Sequence, residues 1–279
     1  MAQYINTNIA ALDSQRNLTS SQSALQLSLQ RLSSGLRVNS AKDDAAGLAI
    51  AERITSQVTG MNMAARNAND GISLSQTAEG ALNQVGLDLQ RMRELAVQGA
   101  NGSLGSGDRA NLNNEYQTLG SEVTRILTGT FFNGQDLLGT GAAATTFQVG
   151  ANNVATDQIS VTLTDMTAGA GITAVTAGTT LVDATGAAAK TAMDDLSTAI
   201  DEVTTQRAAL GAAQNRFTGV ISNLQTAVQN ESAARSRIMD TDFAQETSSL
   251  TRAQILQQAG TAMLAQANAS NNGVMALLR

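Results

Sequence analysis

Ten positions between residues 196 and 228 constrain this chain most. Leu196, Ile200, Val203, Arg207, Leu210, Gln214, Phe217, Ile221, Leu224 and Val228 follow one another in alternating steps of four and three. Only Arg207 and Gln214 in that series are polar. A repeat averaging 3.5 residues is a heptad seam, an apolar stripe down one side of a helix. A helix that long gains its stability from covering the stripe, so the chain must supply long partner helices.

Candidate partners lie in the first half. Leu25, Leu29, Leu32 and Leu36 keep helical steps, as do Ile54, Val58, Met61, Ala65, Ala68 and Ile72, and then Leu82, Val85, Leu89, Met92 and Ala96. Between the last two runs, Leu74 and Ala78 step by four. Read as one helix, Ala45 to Gln98 spans about 80 Å. Its glycines, Gly60, Gly71, Gly80 and Gly86, each cost about 1 kcal/mol relative to alanine. Such a helix needs neighbours along its whole length. GANGSLGSG at Gly99–Gly107 is a turn by composition, Asp108 can cap the next helix, and Leu112, Tyr116, Leu119, Val123 and Ile126 line it. The pair is an αα-hairpin.

After Gly129 the pattern changes. Phe131 and Phe132 precede the turn dipeptide Asn133-Gly134. Thr146–Val149 and Ile159, Val161 and Leu163 alternate in period two, as strands do. Residues 139–189 are rich in Ala, Thr and Gly and read as a short β or loop excursion of low stability, facing solvent. Helical spacing continues through Met239, Phe243, Thr247 and Leu250. The fold class is mainly α: an elongated hairpin-like molecule with a terminal coiled-coil domain, a long helical bundle and a small β-hairpin region.

The two ends are nearly free of charge. No residue from Ala253 to Leu278 is charged, and Met1–Gln30 holds only Asp13 and Arg16. Termini are usually solvated; these are suited to pack against each other and against neighbours. The 279 residues contain no His, Cys or Pro. That removes the commonest general base, thiolate chemistry and sulfur-ligated metals. It also removes disulfides and slow prolyl isomerisation, which suits a chain that stays unfolded for a time and folds elsewhere, although helical, Ala-rich chains tend to lack Cys and Pro in any case. Asp43-Asp44 are adjacent on the chain and cannot face each other as a catalytic dyad; Ser40 is the expected helix cap there, with the acids at the positive end of the helix dipole. Neither a phosphate loop nor a metal-ligand cluster is visible, and no cofactor is implied. A net charge of -6 argues against nucleic acid. No run has the length of a membrane span or the form of a secretory signal.

QRLSSGLRVNSAKDDAAGLAIA at Gln30–Ala51 closely resembles the N-terminal segment of bacterial flagellins. So do RNANDGISLSQTAEGAL at Arg66–Leu82, QRMRELAVQGANG at Gln90–Gly102 and TFFNGQDLL at Thr130–Leu138. At the other end, GAAQNRF at Gly211–Phe217 and the run Ile238–Asn268 are similar to the same family. The resemblance implies a non-enzymatic, secreted subunit of an open helical homopolymer, the extracellular flagellar filament used for swimming. It would be exported unfolded by the flagellar type III pathway. The alternative is a hook–filament junction protein. Residues 1–40 and 240–279 would form the inner coiled-coil domain, 41–138 and 190–239 the helical bundle, and 139–189 the short variable region. The implied polymerisation core is Ile5, Ile9, Leu12, Leu25, Leu29, Leu32, Leu256, Met263, Leu264, Val274, Leu277 and Leu278. Implied partners are other copies, an export chaperone, the filament cap, hook–filament junction proteins and host flagellin receptors. Gln30–Ala51 looks like the segment sensed by plant receptors. Gln90, Arg91, Arg93, Leu95 and Glu115 match positions recognised by a vertebrate toll-like receptor. The end, ANASNNGVMALLR at Ala267–Arg279, departs from many flagellins in lacking a Pro, and Tyr4 sits where a small β-branched residue is commoner.

Overall fold

A computed structural model describes residues 7–178, 180–183 and 186–276. The chain divides into two compact units: the described residues of Met1–Val58 and Gln229–Arg279, and Thr59–Val228.

The first unit holds α1 (Ile9–Ser34), the opening turns of α2 (Ala45–Gly99), the end of α5 (Ala187–Met239) and α6 (Phe243–Ala276). Helix α1 starts where the Asn8 side chain accepts from the Ala11 N–H at 3.0 Å, a side-chain cap for an orphan donor. It stops at Gly35, whose φ of 71° lies in the left-handed region that glycine tolerates. Leu36 then pairs with Asp240 in an antiparallel bridge, and the Thr241 N–H donates to the Gly35 carbonyl. Val38, Ala51 and Met239 form a small buried cluster beneath this junction. The cap of α2 is Asp44, not Ser40: the Gly47 N–H donates to its carboxylate at 2.8 Å. Ser40 lies in the preceding turn, where its N–H and hydroxyl both donate to Asp43. Asp44 wins the cap because it stands directly before the first helical residue.

The second unit is built on the rest of α2, α3 (Ser106–Gly129) and α5. Leu82, Val85, Leu89 and Met92 of α2, Tyr116, Val123 and Leu127 of α3, and Leu196, Val203, Leu210 and Phe217 of α5 share one buried core. Every seventh residue of the α5 seam from Leu196 to Phe217 is therefore buried, as heptad packing requires. The polar seam residue Gln214 donates to Glu79 at 2.8 Å. Asp108 is the third helical residue of α3 and accepts from the N–H of Gly105, the residue in the cap position.

Strands β1 (Phe131–Phe132) and β2 (Gln135–Asp136) flank Asn133-Gly134, with φ of 50° and 80°. This two-residue turn needs positive φ at both positions, which Asn-Gly provides. β3 (Thr145–Gln148) pairs antiparallel with β4 (Gln158–Val161), Thr145 opposite Val161. A short helix, α4 (Ala170–Thr173), follows.

The expectation that 139–189 faces solvent is corrected here. Val149, Ile159, Val161, Leu163, Met166, Ile172, Val175 and Leu181 are buried in the same core as the bundle. The alternation of β4 puts one face inward. Gly171 permits a backbone approach, since a Cβ there would lie 2.3 Å from the Ala199 nitrogen. Glu202 of α5 accepts from the Gly171 N–H at 3.1 Å and holds α4 in place.

Candidate assembly and recognition surfaces

In the first unit α1 and α6 run antiparallel. Asn8 Nδ2 donates to the Ala267 carbonyl at 2.9 Å. Leu18 packs on Gly260, where a Cβ would meet its Cδ1 at 3.3 Å. Arg31 pairs with Glu246 at 3.8 Å. Moving forward along α1 thus means moving back along α6 by a similar number of residues, up to the Leu36–Asp240 bridge.

The covered stripe of α1 is Ala11, Ser14, Leu18, Ser21, Leu25, Ser28 and Leu32. On α6 it is Glu246, Leu250, Ala253, Gln257, Gly260, Leu264 and Ala267. Small residues on each helix let the backbones approach. Of the residues expected in a polymerisation core, Leu25, Leu32 and Leu264 are half-buried in this pairing. Ile9, Leu12, Leu29, Leu256 and Met263 are turned outward, between 49% and 61% exposed. Ile5, Leu277 and Leu278 lie outside the described residues, as does the side chain of Val274. Leu27 and Ile255 join the exposed set. A shallow groove of about 540 Å³ on α6 is lined by Ser248, Thr251, Arg252, Ile255 and Leu256. Each terminal helix therefore has two apolar sides, one covered within the chain and one open.

Sequence reasoning placed Leu29 in the seam and missed Leu18, Ser28 and Gly260. The signal for the true seam was its period of seven, with serines alternating with leucines.

The second surface lies in the other unit. Arg91 of α2 donates through Nε and Nη2 to Glu115 of α3 at 3.0 and 2.9 Å, and through Nη1 to Glu94 at 2.8 Å. The hydrogen bonds that Arg91 donates to Glu94 and Glu115 raise the pKa of its guanidinium further. Gln90, Arg91, Arg93 and Glu115 are exposed, whereas Leu95 is buried in the core. The structure brings Arg91 and Glu115 together and separates Leu95 from the accessible set. The Gln30–Ala51 segment ends α1, passes through an exposed turn at 39–43 and opens α2. The Asp43 carboxylate accepts from the Asn39 and Ser40 backbone N–H groups, which lower its pKa. Among the described residues no group of three or more acidic side chains could hold a metal, and no helix is long and apolar enough to cross a membrane.

Two family models match this chain. The bacterial flagellin N-terminal helical region covers residues 5–143, and the bacterial flagellin C-terminal helical region covers 193–278. The chain belongs to the bacterial flagellin family. It is 45% identical to a flagellin of Halalkalibacterium halodurans and 44% identical to one of Bacillus subtilis, with 99% of each chain covered. The Bacillus cereus flagellin crystal structure is 31% identical, with a TM-score of 0.50 over 61% of this chain and 94% of that one. A putative flagellar hook-associated protein from Vibrio parahaemolyticus shares the fold, with a TM-score of 0.58 at 14% identity, over 71% of this chain and 100% of that one. As a flagellin, the chain is a structural subunit of the bacterial flagellar filament and serves motility, with no enzymatic role. The family models leave 144–192 between them unmatched, in keeping with a minimal variable region.

Proposed function

We propose that α1 and α6 form the inner layer of the filament and pack there against the same helices of neighbouring copies. The observation that supports this is the open apolar side of both helices, carried by Ile9, Leu12, Leu29, Leu256 and Met263. Covering apolar surface drives association at roughly 25 cal/mol per Å². The contact is heterologous and non-closing, so it builds an open helix rather than a ring. In this reading residues 1–40 and 240–279 make the inner coiled coil, and 41–138 with 190–239 make the surrounding bundle. Ile5, Val274, Leu277 and Leu278 extend the core toward the chain ends.

The subunit reaches the cell exterior unfolded, through the flagellar type III route. A chain without Cys or Pro supports that, because nothing slow delays folding at the growing tip. An export chaperone, the filament cap and hook–filament junction proteins are its transient partners. Arg91 and Glu115, with Gln90 and Arg93, offer a charged patch to a vertebrate receptor, and the turn at 39–43 offers one to a plant receptor.

Electron microscopy of purified subunits after adding short filament seeds tests the inner-layer reading. Long filaments of uniform width are expected from the full chain, and none from a chain lacking Gly260–Arg279 whose bundle remains helical. Filaments from the truncated chain would overturn it.

A further inference from the structure

The seam between α1 and α6 is periodic on both sides. On α1, Ala11, Leu18, Leu25 and Leu32 recur every seven residues, and Ser14, Ser21 and Ser28 fill the alternate positions. On α6, Ala253, Gly260 and Ala267 recur every seven, with Leu250, Gln257 and Leu264 between them. A slide of one heptad, about 10 Å, would set small residues on small ones and, except at Ala11 and Gln257, leucine on leucine. Apolar packing therefore discriminates poorly between registers, a known weakness of regular heptad seams that single polar residues correct.

The small-residue series itself breaks at one position, and there a charge enters. The small-residue series Ala267, Gly260, Ala253 ends in Glu246, which is 8% exposed. It meets Arg31 at 3.8 Å, the one ion pair between α1 and α6 among the described residues. Arg31 is itself half-buried, with its Nε enclosed. The other base of α1, Arg16, stands fifteen residues away and is exposed. A slipped register would leave the Glu246 carboxylate enclosed without a base, and an unpaired buried charge is strongly unfavourable.

We propose that the Arg31–Glu246 pair fixes the register of the two terminal helices, selecting one pairing among several that the periodic seam would otherwise accept. The pair adds little net stability, because each charge loses water on burial; its role is choice of register. Arg31 and Glu246 are positioning residues. The pairing is within one chain, so it stands apart from whether the helix pair lies at the filament axis.

The lack of cysteine makes the test direct. A Cβ at Gly260 would stand 3.8 Å from that of Leu18, the separation typical of a disulfide. Full-length subunits carrying Leu18→Cys with Gly260→Cys report the native register. Those carrying Leu18→Cys with Ala253→Cys or Ala267→Cys report slips of one heptad. Each is oxidised before and after adding filament seeds, and bridged chains are separated on a non-reducing gel. With Arg31 and Glu246 intact, the native bridge should exceed the slipped ones by about tenfold or more, the ratio given by about 1.4 kcal/mol. Glu246→Ala should bring the slipped bridges to comparable yield. Arg31→Glu combined with Glu246→Arg should restore the native excess. An unchanged ratio in Glu246→Ala overturns the proposal. If Glu246→Ala yields no bridge of any kind, the charge-swapped chain decides: recovery of the native bridge supports the proposal, and its absence overturns it.

Discussion

The ring of Phe217 on α5 closes over the bare backbone of Gly71 on α2, so that a Cβ at Gly71 would stand 2.6 Å from its Cζ. The same ring meets Phe147 of β3 edge-on at 5.5 Å. Phe217 thus joins two helices and a strand. Gly71→Ala gains about 1 kcal/mol of helix propensity but forces the ring aside, which costs about 1–3 kcal/mol. Urea unfolding should show net destabilisation. Gly80→Ala lies on an exposed face with open space around it, and there the propensity gain should appear alone. A stabilised Gly71→Ala would mean that the ring moves freely.

Removal of Ala142–Ala187 with a short linker is expected to lower the stability of the bundle and to reduce filament yield. Ile159, Val161, Leu163, Ile172 and Val175 are buried against it, and truncating one such side chain costs about 2–5 kcal/mol. Circular dichroism through a thermal ramp checks the first effect, and sedimentation after seeding checks the second. Full stability in the shortened chain would show that the excursion rests on the bundle without supporting it.

The helices of this fold were legible because each repeats one signal many times. The α5 seam needs no single strong residue, and the antiparallel turn of α2 into α3 is written in four glycines from Gly99 to Gly107. The burial of 139–189 was hidden. Its inward residues, such as Ile172 and Val175, are isolated among Ala, Thr and Gly, and the core they join comes from helices distant in sequence. The terminal seam was half legible. Leucine spacing pointed to Leu29, yet the covered side of α1 runs through serines, because a close helix pair rewards small residues over large ones. The Arg31–Glu246 pairing joins residues far apart in the chain, and spacing alone gives no signal for it.

Arg109, in the first turn of α3, should prove one of the most sensitive polar residues of the bundle. It is 3% exposed, and its guanidinium donates to the carbonyls of Gly99, Asn101 and Asp183 at 3.0–3.1 Å. It thereby ties the α2–α3 turn to the segment that leads into α5. Arg109→Ala strands these acceptors, each at about 1–3 kcal/mol when buried. The expected loss is at least about 2 kcal/mol. Arg109→Lys should rescue little of it, because an ammonium lacks the planar fork that reaches three separate carbonyls. Equal stability of the lysine variant and the parent in urea would refute the clamp.

Tyr116 gives a prediction of opposite sign. Its side chain is fully buried, and its hydroxyl finds no hydrogen-bond partner. Burial raises its pKa well above the ordinary phenol value, and the nearby Asp195 charge adds to the shift. An unsatisfied buried hydroxyl costs about 1–3 kcal/mol, so Tyr116→Phe, which keeps the ring, should stabilise the bundle by about 1 kcal/mol. The pH dependence follows from the direction of the shift. The folded pKa lies above the unfolded value of about 10, so the folded state keeps its proton where the unfolded chain releases it. That contribution is complete below about pH 10 and is lost as the pH rises further. The phenylalanine variant has no proton to lose there. Its advantage over the parent in urea unfolding should therefore widen between about pH 7 and about pH 11. A constant difference across that range would show that the hydroxyl has a partner able to stabilise the phenolate.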